Sequence, residues 1–149
     1  MHLTDRGVTL MHLLVGLAVL GVLSATALLS YQHALSGWRL SAAARQVVMD
    51  LKLARARAIL DSSSHRVYFT VPGSSYQHER QQPSGSYVAV GRATTLPSDV
   101  TIIGCTAVGG GISFRPRGHA GAFGTVMLRN ADGDQRAVVV DIVGRTRVQ

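Results

Sequence analysis

One cysteine, one tryptophan, one glutamate and one lysine in 149 residues remove several chemistries at the outset. Cys105 has no partner for an intrachain disulfide, and a cysteine-based zinc site needs several thiolates. It reads as a small buried hydrophobe. Glu79 stands alone, so no glutamate pair exists for acid–base work. The six histidines are scattered without metal-ligand spacing. "SSS" at residues 62–64, beside His65, is a linker rather than a nucleophile site, and no glycine-rich phosphate loop is present. These absences point away from catalysis and from a resident cofactor or metal. Acids are scarce too: Lys+Arg number 15 against 8 Asp+Glu, a formal charge of +7. That surplus does not bear on fold, but it favours polyanionic partners such as phospholipid headgroups or nucleic acid. The length suits one domain with an appendage, not two independent cores.

Proline is missing between residues 8 and 60, and the sequence there falls into two halves. Residues 8–29, "VTLMHLLVGLAVLGVLSATALL", contain one ionisable side chain, His12. A membrane-spanning helix needs about 20 apolar residues at 1.5 Å rise each, and this run supplies them. A secretory signal is the rival, because Ala25-Thr26-Ala27 mimics its cleavage site. The preceding "MHLTDR" sets Asp5 against Arg6 and so lacks the positive excess of such signals. Moreover, the helical pattern continues past Ala27. Leu40, Ala44, Val47, Leu51, Ala54 and Ala58 form an apolar stripe at helical period, with Arg39, Arg45, Asp50, Lys52, Arg55 and Arg57 on other faces. The spacing predicts one helix of about 50 residues, apolar all round at first and one-sided later.

Beyond Ser64 the period shortens to alternation. Residues 66–71, 86–91, 100–103, 112–115, 124–129 and 136–143 read as strands, separated by stretches rich in glycine, proline, serine and aspartate. Residues 72–86 are polar and are expected to form a mobile loop. "NADGDQ" (residues 130–135) superficially suggests a calcium loop, but glycine falls fourth rather than sixth and no glutamate follows. Asp-Gly between apolar strands is expected to be a hairpin turn. At residues 144–147, "GRTR", an extended chain would place Arg145 and Arg147 on one side, about 6.5–7 Å apart. Such a pair could engage adjacent phosphates, with Gly144 letting the backbone approach. Alternatively, two exposed arginines simply close an edge strand. Arg115, Arg117, Arg129 and Arg136 would enlarge the patch if the turns gather them.

Two sets of residues resemble a known family. Gly7 followed by "VTLMHLLV" is similar to the prepilin cleavage motif of type IV pilins and type II secretion pseudopilins. "ISFRPRGHAGAFGTVMLRN" with "RAVVVDIVGRTRV" resembles the C-terminal signature of the GspH/FimT branch, matched at Phe114, Pro116, Gly118, Gly124, Thr125, Gly144, Arg145 and Arg147. The resemblance implies an α+β, pilin-like fold: a long N-terminal helix, transmembrane in its first half, packed on a C-terminal antiparallel β domain. It implies a leader over 1–7, a membrane and filament-core helix over 8–30, an amphipathic continuation over 31–62 and a periplasmic β domain over 63–149. It implies cleavage between Gly7 and Val8 by prepilin peptidase, N-methylation of Val8, and a single-pass inner-membrane subunit that later enters a filament. Its partners would be other pilin or pseudopilin subunits, the inner-membrane platform of the machine and membrane lipid. His12 departs from the family, which usually has glutamate there to neutralise a neighbour's N-terminal ammonium. A neutral imidazole accepts a hydrogen bond but brings no charge, so His12 marks either altered docking or a tolerated substitution. The resemblance also reaches FimT-like minor pilins that bind DNA through the "GRTR"-type ending. Three readings therefore stand: a structural subunit of a secretion or pilus machine, a DNA-binding minor pilin, and a soluble secreted β protein released at Ala27.

Overall fold

The structure is a computed structural model that describes residues 5–149. It divides into two compact units, Met1–Leu35 and Ser36–Gln149. Helix α1 spans Asp5–Leu60. Its sequence is rich in alanine, leucine and arginine, all strong helix formers, and holds no proline. The helix ends where the Asp61 amide donates to the Arg57 carbonyl and Ser62 turns to a φ of 47°.

In the first unit, the described large apolar side chains from Leu10 to Leu23 are each between 53% and 71% exposed. Among the described residues, no helix is long and apolar enough to cross a membrane. The described side chains of the apolar run cover residues 10–24, short of the about 20 a span requires. The expected span, residues 8–29, extends beyond them on both sides.

In the second unit the helix is genuinely two-faced. Leu40, Ala44, Val47, Leu51, Ala54 and Ala58 are each 0–1% exposed, so the stripe read from the sequence is the stripe that packs. Ten strands follow: β1 (His65–Phe69), β2 (Ser75–Gln81), β3 (Tyr87–Ala89), β4 (Thr94–Thr95), β5 (Val100–Cys105), β6 (Gly111–Phe114), β7 (Ala120–Ala122), β8 (Gly124–Asn130), β9 (Gln135–Val140) and β10 (Thr146–Val148). They form two antiparallel sheets. One runs β3-β2-β1-β6-β7, with β4 also pairing β2; the other runs β10-β9-β8-β5. A bridge between Gly73 and Ile102 links them. Val67, Phe69, Tyr76, Ile112 and Phe114 of the first sheet meet Val100, Ile102, Val126, Leu128, Val138 and Val140 of the second in one core with the helix stripe.

Part of the segment expected to be a mobile loop, residues 72–86, is strand β2 instead. "SYQHERQ" is polar by composition, yet it alternates, and Tyr76 and His78 turn inward to 1% and 8% exposure. The Tyr76 hydroxyl donates to Asp50 of the helix, and His78 Nε2 lies 3.9 Å from the other carboxylate oxygen. A partly buried carboxylate with matching donors explains how a polar strand joins the core. Cys105 is half-buried against that core, and burial pushes its thiol up, away from reactivity.

Two imidazoles lie inside this layer. His65 Nε2 is 2.9 Å from Asp61 Oδ2, and His78 faces Asp50, with Arg57 close enough to act on both and Arg80 on His65. Burial lowers both below the ordinary imidazole value of 6.5, with the carboxylates opposing in part. An unfolded chain takes up protons at these sites first, so folding stability is present above about pH 6.5 and is lost as pH falls below it. The urea midpoint of residues 36–149 is therefore expected to drop between about pH 7.5 and about pH 5.5. In His78→Gln the drop should be smaller, and a midpoint independent of pH would refute the account.

Candidate functional site

The two stretches that carry the C-terminal resemblance fold as neighbouring hairpin tips. In the β6–β7 tip, Gly118 N donates to Arg115 O at 2.8 Å and Arg115 N to His119 O at 2.9 Å. In the β9–β10 tip, Gly144 N donates to Asp141 O at 2.9 Å and Asp141 N to Arg145 O at 3.1 Å. Both are three-residue loops closed by a left-handed glycine, with φ of 79° at Gly118 and 83° at Gly144. The Asp-Gly of residues 132–133 closes the same way, through Gly133 N to Asn130 O and Asn130 N to Asp134 O, rather than as a two-residue turn. The Asn130 side chain spans that loop, its Oδ1 accepting from the Asp134 amide at 2.8 Å and its Nδ2 donating to Asp134 Oδ2 at 3.1 Å, and it also donates to Ser36 Oγ at 2.9 Å.

The tips at Gly118 and Gly144 touch. A Cβ on Gly144 would lie 2.6 Å from the Gly118 carbonyl oxygen and 3.3 Å from Arg55 Nε. Arg55 projects from the helix between them, donating from Nε to Gly118 O at 2.8 Å and from Nη2 to Val143 O at 3.4 Å. The amide of Ala120 donates to Ile142 O at 3.2 Å, stitching the free side of β7 to the second tip. Sequence reasoning placed Arg55 only on an outer helix face. Its role as the pin between two distant glycines leaves no trace in spacing.

Around this pin the arginines divide. Arg115 and Arg117 flank Pro116 and, with His119, line a hollow of about 430 Å³. Arg145 follows Gly144, its side chain 77% exposed, and Arg147 is exposed on β10 while Thr146 between them is half-buried. That alternation sets both arginines outward, as the extended reading requires. Arg145 is already engaged, however: its Nε reaches Asp141 Oδ2 at 3.1 Å and its amide donates to Asp141 Oδ1 at 2.9 Å. The Arg145 amide, ahead of its guanidinium, holds the Asp141 carboxyl below the usual range. Arg129 and Arg136 do not join the patch. Arg136 lies opposite Leu128, three residues along β9 from Val139, the partner of Arg147, which is about 10 Å at 3.4 Å per residue and, by the odd offset, on the other face.

At the other end of the chain, Gly7 and Val8 fall within helix α1, and His12 is exposed on it. The first four residues of the expected leader lie outside the described residues. Among the described residues, no group of three or more His, Cys, Asp or Glu is placed to hold a metal ion.

With helix, sheets and paired tips in place, the relationships are specific. The sequence profile of the family described as type II transport protein GspH matches residues 43–144, most of the chain, and the chain belongs to that family. The family is one of structural pseudopilins, which associate with other pilin-type subunits and are not enzymes. The minor pseudopilin EpsH from the type 2 secretion system of Vibrio cholerae superposes with a TM-score of 0.62 at 14% identity, over 74% of this chain and 94% of that one. The type IV minor pilin FimU of Pseudomonas aeruginosa superposes with a TM-score of 0.56 at 18% identity, over 74% of this chain and 92% of that one. No curated protein sequence matches. At such identities the structures establish a shared pilin-like fold.

The contact between the tips sets an order of substitution effects. Gly144→Ala combines left-handed strain with a clash against backbone, whereas a Cβ on Gly133, with φ of 95°, meets open space. Left-handed strain alone costs about 1–2 kcal/mol. Gly144→Ala is expected to lower the melting temperature clearly more than Gly133→Ala, measured by thermal denaturation, and equal losses would remove the contact's importance.

Proposed function

We propose that this chain is made as a precursor, cut between Gly7 and Val8 by prepilin peptidase and N-methylated on Val8. The apolar first half of α1 then holds it in the inner membrane with the β domain in the periplasm, until it packs as a minor subunit into a type II secretion pseudopilus or type IV pilus. The observation that carries the reading is the apolar surface from Leu10 to Leu23, exposed on every side of the helix. A surface that large and that apolar needs lipid or other helices to cover it. His12 stands in the assembly position in this reading. The mature N-terminus of membrane-purified protein, read by mass spectrometry, tests it. A methylated Val8 start is expected, abolished by Gly7→Glu. A soluble product cut after Ala27 would replace this reading with a secreted β protein.

A second reading, DNA contact through Gly144, Arg145 and Arg147, is favoured by the outward setting of both arginines beside Arg115 and Arg117. The ion pair with Asp141 weighs against it, since phosphate would have to compete for the Arg145 guanidinium. Labelled duplex DNA at two salt concentrations decides. Binding that weakens with salt and collapses in the Arg145→Gln, Arg147→Gln double variant supports phosphate engagement. Absence of binding at low salt leaves the arginines as the protected end of an edge strand.

A further inference from the structure

We propose that the exposed face of helix α1 between Trp38 and Leu60 docks the helix of a different subunit, one carrying carboxylates along its seam, and does not dock a second copy of this chain. The inference rests on the reading of the chain as a filament subunit and says which face of it meets which kind of neighbour.

The helix is apolar on two opposite sides. Met49 and Leu53 stand two residues either side of Leu51, about 200° around the helix from it. Leu51 is 0% exposed, while Met49 is 64% and Leu53 42% exposed. Trp38, at 77%, and Leu60, at 81%, continue the outer line, with exposed Ala42 and Ala56 between them. Ala42, Met49 and Ala56 recur every seven residues, and Leu53 and Leu60 follow Met49 and Ala56 by four. This is the spacing of a helix–helix seam. The alanines recess it, which lets a second backbone approach closely; a bilayer surface would reward bulky side chains there instead.

The charges beside the seam have one sign. Arg45 and Lys52 follow Ala42 and Met49 by three, and both are exposed. Between Ser36 and Leu60 the helix has one carboxylate, Asp50, and it is taken by Tyr76 and His78 on the inner side. Arg39, nearer Trp38, faces Asp99 at 3.6 Å. No carboxylate among the described residues pairs with Arg45 or Lys52. Two copies meeting along this face would set Arg and Lys against Arg and Lys, and like charges across a seam are unfavourable. A partner helix with Asp or Glu at the matching positions turns the same charges into attraction and register.

The test uses the full chain in cells that carry the secretion or pilus machine, with p-benzoylphenylalanine replacing Met49 in one strain and Leu17 in another, and cross-linked partners identified by mass spectrometry. The Met49 position is expected to link to a different pilin-type subunit through a carboxylate-bearing helix. Arg45→Glu with Lys52→Glu should cut that product about tenfold, equivalent to about 1.4 kcal/mol. Both substitutions are at exposed positions, and an unchanged melting temperature confirms that the fold is kept. Linkage at Met49 to a second copy, to lipid or to nothing, while Leu17 still links to pilin-type subunits, overturns the inference alone. Failure of both positions to reach any pilin-type subunit overturns the filament reading with it.

Discussion

Burial of one narrow stripe on helix α1 governs the fold from Ser36 onward. Each sheet presents one apolar face, the two are joined by a bridge at Gly73 and Ile102 and by the Ala120 amide on Ile142 O, and both faces end in the same core against Leu40, Val47 and Leu51. The stripe alternates these with Ala43, Ala44, Ala54 and Ala58, all buried. Small residues let the sheets come close, while the larger ones fill the space between them, the large-and-small alternation that dense packing requires. Because the helix supplies one wall of the core, residues that seem remote from it answer to it. Tyr76 and His78 are inside because Asp50 is there to receive them, and the paired hairpin tips are held because Arg55 reaches them.

Much of this was legible in the residues. The helix, its inner stripe and six strand segments follow from period alone, because an apolar residue repeated every third or fourth or every second place has few other uses. Strand β2 was not legible, because its inward positions are filled by tyrosine and histidine rather than by aliphatics. Composition marks such a segment as loop, and only the carboxylate waiting on the helix reveals otherwise. The short strands β4 and β7 were hidden for a different reason: two threonines and an Ala-Gly-Ala triplet carry no alternation of apolar and polar residues to read. The outer stripe of the helix was also obscured, since Arg45 and Lys52 interrupt it in sequence while leaving it continuous in space.

The candidate site shows the same division between local and distant information. That Gly118 and Gly144 are turn glycines follows from their neighbours. That they stand against each other, close enough to exclude a methyl group, is a property of strand order, which brings the end of β6 beside the end of β9. Arginines scattered along the sequence are sorted by that order as well. Arg115 and Arg117 come to the tip of Arg145, while Arg129 and Arg136 go to the far end of the β8–β9 ladder.

The repeated hairpin loop bears on how the chain finds its fold. The β2–β3 connection closes as the others do, with Gly85 N on Gln82 O and Gln82 N on Ser86 O, so four strand pairs are each joined by a circuit of five residues. Circuits that short cost little chain entropy and form early. The longer closures are then three: β2 with β4, β5 with β8, and above all β1 with β6, which brings Tyr68 to Gly111 across the whole of β2 to β5. Folding speed is governed by such distant pairings more than by local ones. By that rule, the pairing of β1 with β6 is the closure expected to weigh most on the folding speed of this protein, since the hairpins on either side of it need only local contacts.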